Sequence, residues 1–70
     1  MQYKDVESSN IATVGYDEET QILEVQFKNG SIYQYRGVSQ FYYDGLINAE
    51  SVGKYFHANI RNTYTSERIK

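Results

Sequence analysis

Along "QILEVQF", Leu23, Val25 and Phe27 alternate with Glu24 and Gln26, the two-residue period of a strand with one buried face. "KNG" follows, and Asn-Gly between alternating runs is a strong hairpin signal. "SIYQY" closes the hairpin, and "NIATVGY", ended by the polar turn "DEET" at residues 17–20, supplies an earlier strand. Loop length sets the hairpin register. A two-residue Asn29–Gly30 turn sets Val25 against Gln34, mixing polar groups into the apolar face. A three-residue Lys28–Asn29–Gly30 loop with Gly30 left-handed sets Val25 against Tyr33 and Leu23 against Tyr35. A one-residue slip inverts every side chain, so pattern consistency selects the longer loop. Carried through the "DEET" turn, the same logic pairs Val14 with Leu23 and Ala12 with Val25. The predicted core face is Ala12, Val14, Tyr16, Leu23, Val25, Phe27, Tyr33 and Tyr35. Ile11, Ile22 and Ile32 then fall on the opposite face.

After Gly37 the period lengthens to that of a helix. In "VSQFYYDGLINAE", Tyr42, Leu46 and Ala49 share a stripe with Phe41 and Gly45 alongside, and Ser39 suits an N-cap. Gly45 inside a helix costs about 1 kcal/mol against alanine, which predicts a close backbone approach there. In "SVGKYFHANIRNTY", Val52, Phe56 and Ile60 recur every four residues behind Ser51, a second candidate cap. The predicted fold is α+β: a three-stranded antiparallel meander followed by two short C-terminal helices packed on one sheet face, in one domain spanning residues 1–70.

Composition sharpens this picture. Seventy residues bury only about 60% of their unfolded surface. The chain has no cysteine, so neither disulfides nor thiolate-bound metal can add stability. Eight tyrosines and three phenylalanines must carry the core instead. No apolar run approaches the roughly 20 residues of a membrane span. The start "MQYKDVESSN" shows no hydrophobic signal segment, so a cytoplasmic location is expected. Net charge is −2, against a generally basic nucleic-acid binder. Residues 1–50 nevertheless hold Lys4, Lys28 and Arg36 against eight acidic residues, whereas residues 51–70 hold Lys54, Arg61, Arg68 and Lys70 against Glu67 alone. The last third is locally basic.

Three groups carry candidate chemistry. Tyr33 and Tyr35 share a strand face, as a stacking platform for bases or as packed core aromatics; the register favours packing. Lys54, His57 and Arg61 stand three and four positions apart, forming a ridge for phosphates or a solvated helix face. Ser8, Ser9 and Asn10, with Ser51, Asn59 and Tyr64, are secondary polar candidates whose default role is to satisfy turns and helix ends. His57 lies too close along the chain to Ser51 and Glu50 for a nucleophile–base–acid geometry. Asp17, Glu18 and Glu19 form a turn without a partner at metal-ligand spacing. Neither catalysis, metal nor cofactor is expected.

"SSNI" before the first strand, "GY" at its end, "FKNGSIYQY" across the hairpin and "AESVGKYFHANIRNTY" in the second helix together resemble the KTSC domain, over residues 6–64. That bacterial and phage family takes its name from the C-terminal extension of some lysyl-tRNA synthetases. Its Tyr-x-Tyr signature falls on Tyr33 and Tyr35. The resemblance implies a small α+β binding module, with RNA or single-stranded nucleic acid as the first partner class. A protein partner or weak homodimer through the isoleucine-containing face is the alternative. Ser39 stands where the family pattern opens its helix with proline, exchanging a rigid start for a capping hydroxyl.

Overall fold

A computed structural model describes residues 1–70. Strands β1 (Gln2–Asp5), β2 (Ile11–Asp17), β3 (Ile22–Phe27) and β4 (Ile32–Arg36) precede helices α1 (Gln40–Ile47) and α2 (Val52–Asn59), and β5 (Ser66–Arg68) closes the chain. The sheet is antiparallel in the order β1-β2-β3-β4-β5. It therefore has five strands, where the hydrophobic pattern predicts three. β1 (QYKD) and β5 (SER) are short and have no buried residue, so no buried face imprints an alternation on them. Backbone pairing to the edges of β2 and β4 holds them, joined by surface contacts such as Arg36 Nη2 to Glu67 Oε2 at 3.2 Å.

The β3–β4 hairpin has the predicted register, with Val25 opposite Tyr33 and Leu23 opposite Tyr35. Phe27 N–H donates to Ser31 O at 2.9 Å, which closes a three-residue loop. Gly30 sits at φ 94°, a conformation open to glycine at little cost. The β2–β3 pairing departs from expectation by two residues: Val14 lies opposite Val25, and Tyr16 opposite Leu23. The turn starts one residue later than "DEET". Asp17 ends β2, and its Oδ1 accepts the Glu19 N–H at 3.0 Å, while Gln21 turns left-handed at φ 57°. A two-residue slip preserves faces, so Val14 and Tyr16 still point inward.

A bulge between Ile11 and Thr13 alters the start of β2. The extra residue turns Ile11 into the core, where it is 1% exposed, and leaves Ala12 only partly buried. The predicted isoleucine face thus loses Ile11, and Val6 packs against the core cluster.

Both helices cover one sheet face. Val52, Phe56 and Ile60 from the α2 segment, with Leu46 of α1, complete a core that includes Ile11, Val14, Leu23, Val25 and Tyr35. Ser51 Oγ accepts the Lys54 N–H at 3.3 Å as the α2 cap, whereas Ser39 occupies the α1 N-cap position without a side-chain bond. Gly45 does permit a close approach: a Cβ there would lie 2.6 Å from Cζ of Tyr55. Phe41, expected beside the α1 stripe, is 74% exposed.

The helix-free face is a polar lattice around one carboxylate. Glu24 is only 8% exposed; its oxygens accept from Gln26 Nε2 at 2.9 Å and Gln34 Nε2 at 3.0 Å. Burial alone would raise its pKa, but hydrogen bonds from Gln26, Gln34 and the Tyr3 hydroxyl hold it below the ordinary value. The same contact with Glu24, followed by burial, raises the Tyr3 phenol. Tyr3 also lies over Gly15, where a Cβ would meet its ring at 2.6 Å.

Candidate nucleic-acid interface

A groove of about 710 Å³ opens where α2 meets the β3–β4 hairpin and the start of β2, within the range of ligand sites. Its apolar lining comes from Ile11, Phe27, Tyr33, Tyr35 and Phe56. These rings interlock: Phe27 meets Tyr33 edge-on at 5.8 Å, and Phe56 meets Tyr35 edge-on at 5.3 Å. Tyr33 and Tyr35 lie 6.5 Å apart with planes inclined at 28°. Tyr35 is 4% exposed and belongs to the core. Tyr33, on the same face but nearer the hairpin end, is only partly buried. Packing and exposure are thus divided between the two tyrosines of the signature.

The cations come from two elements. α2 ends at Asn59, and Arg61 N–H bonds back to Phe56 O at 2.9 Å, a closing turn that returns Arg61 toward the helix. Its Nη1 donates to His57 Nδ1 at 3.2 Å, which orients the guanidinium and requires that ring nitrogen unprotonated. Lys28, in the hairpin loop, lines the same groove. No aspartate or glutamate lines it. Burial raises the Tyr35 phenol, and the nearby Arg61 charge opposes that rise. No buried side-chain polar atom lacks a partner, so the Tyr35 hydroxyl, which makes no internal bond, opens onto the groove.

Of the predicted residues, Tyr33, Tyr35, His57, Arg61, Ser9 and Asn10 line this one site. The others lie outside its lining, with structural tasks for most. Ser8 Oγ accepts the N–H groups of Asn10 and Ile11, both at 3.2 Å. Ser51 caps α2, and Asn59 Nδ2 donates to Tyr55 O at 3.2 Å. Tyr64 packs its ring edge-on to Tyr42, 6.2 Å away. Lys54 is not among the residues that line the groove, whereas Lys28 is. Sequence reasoning missed Lys28, Gly53 and Asn62 as groove residues; the loop register alone carried the signal for Lys28.

The geometry defines a helix-backed antiparallel sheet domain with an aromatic groove free of carboxylates. The KTSC domain family profile matches residues 7–64, and the chain belongs to that family. A crystal structure of a KTSC domain protein from Yersinia pestis superposes with a TM-score of 0.92 at 34% identity, over 99% of this chain and 97% of that one. An uncharacterized protein of Stutzerimonas stutzeri is 40% identical over 52 residues, covering 74% of this chain and 73% of its own length. A lysine–tRNA ligase from a Nostoc species is 38% identical over 63 residues, 90% of this chain but 11% of that protein. Both edge strands, β1 and β5, lie wholly outside the matched residues 7–64.

Proposed function

We propose that this domain is a non-enzymatic module that binds single-stranded nucleic acid, RNA foremost, in the groove between α2 and the β3–β4 hairpin. One observation carries the reading: a chain of net charge −2 has a groove lined by Lys28, His57, Arg61 and aromatic rings and by no carboxylate. Unstacked bases gain about 1–3 kcal/mol each on aromatic rings. Arginine and lysine hold phosphates without reading sequence. The segment shared with proteins named lysine–tRNA ligases favours RNA as the partner, and a cytoplasmic setting suits it. Protein docking through the isoleucine face has less support, because Ile11 is in the core.

Titration of isotope-labelled protein with a single-stranded RNA octamer tests the reading by NMR. Shifts should concentrate at Lys28, Tyr33, His57 and Arg61, and weaken with added salt. Unchanged spectra at low salt would refute it.

A further inference from the structure

Gly53 occupies the second position of α2, where glycine costs up to about 1 kcal/mol against alanine. At Gly45 packing explains the glycine, because Tyr55 fills the space. Gly53 is different. The one heavy atom within 4 Å of a Cβ built there is Ser8 Oγ, at 3.4 Å, an ordinary contact. Its φ is not positive either. No close contact requires glycine rather than alanine at this position, yet Gly53 lines the groove with Tyr33.

We propose that the missing side chain of Gly53 keeps open a slot beside α2 that receives one unpaired nucleobase, its ring against Tyr33. This inference rests on the nucleic-acid reading above and assigns that site a selectivity for unpaired over paired bases. A flat ring needs access to both of its faces, which stacking within a duplex denies it. The bare backbone at Gly53 lets the ring approach the helix more closely than any side chain would. The amides of Asn10 and Asn62 line the same groove and make no side-chain hydrogen bond within the protein, so both are available to a base edge. Adding a methyl group at Gly53 changes no charge and leaves Lys28 and Arg61 in place. Loss of the slot should therefore weaken binding without changing its dependence on salt.

Gly53→Ala and Gly53→Leu test this, with fluorescein-labelled U8 and A8 RNA and a labelled octamer duplex as probes. Gly53→Ala should melt at or above the wild-type temperature, while its single-strand affinity falls by about tenfold or more with an unchanged salt slope. Gly53→Leu should bind more weakly still, and the wild type should prefer the single strands to the duplex. Undiminished binding by both variants would overturn the slot, as would a lowered melting temperature in Gly53→Ala or equal wild-type affinity for duplex. Any of these outcomes leaves the nucleic-acid reading standing. Failure of the wild type to bind any probe would overturn both.

Discussion

Tyr35 and Tyr33 share a strand face but should differ sharply when truncated. Tyr35 is 4% exposed, and its ring packs edge-on against Phe56 at 5.3 Å. Removing so buried an aromatic costs about 3–5 kcal/mol through lost transfer energy and the cavity left behind. A core of this size rarely supplies more than about 3–5 kcal/mol in total. Tyr35→Ala should therefore be largely unfolded at 25 °C. Tyr33 keeps part of its ring in solvent at the groove, so Tyr33→Ala should cost about half as much, about 1.5–2.5 kcal/mol. At about 4–8 °C per kcal/mol in a domain of this length, its melting midpoint should fall by about 6–20 °C while a cooperative transition remains. Tyr35→Phe should stay within about 1 kcal/mol of wild type, since the hydroxyl makes no internal hydrogen bond. Far-UV circular dichroism with thermal and urea melts measures all three. A Tyr35→Ala protein that melts like the wild type, or a Tyr33→Ala protein less stable than it, would refute the division of labour between the rings.

Two further substitutions probe the scaffold. Because hydrogen bonds depress the Glu24 pKa in the folded state, its contribution is fully present at neutral pH. That contribution disappears as pH falls from the unfolded value, about 4.3, through the lower folded value. Glu24→Gln should cost about 1–3 kcal/mol at pH 7 and lose less stability than wild type on acidification to pH 3; parallel urea midpoints for the two proteins across that range would contradict this. Gly45→Ala should destabilise despite its better helix propensity, by about 1–3 kcal/mol, because the new methyl group meets the Tyr55 ring. Recovery in Gly45→Ala/Tyr55→Leu would identify the clash, and an additive loss would reject it.

The sequence reveals the parts of the fold in which local pattern and tertiary burial agree. The β3–β4 register was legible because only a three-residue loop keeps Leu23, Val25, Phe27, Tyr33 and Tyr35 on one face, and α2 because Val52, Phe56 and Ile60 repeat at helical spacing. β1 and β5 leave no such trace, since pairing at a sheet edge constrains backbone rather than side chains. The bulge at the start of β2 is equally silent. It inserts one residue without a glycine, and so Ile11, placed outward by the simple alternation, is core and the isoleucine face loses one of its three members. The groove was half legible. His57 and Arg61 could be placed on one side of a helix, but Lys28 joins them only through the hairpin's position beneath α2. Lys54, three residues before His57 on the same helix, is not part of the groove lining. Gly53 gave no local signal, because its meaning depends on what does not fill the space around it.

The most direct test of the central claim is the salt dependence of RNA binding by wild type and Arg61→Ala, measured by fluorescence anisotropy with labelled U8. The account predicts weaker binding by the variant, with the slope of log K against log salt reduced by about 0.7, the value for one phosphate contact on a single strand. Equal affinities and equal slopes would contradict it.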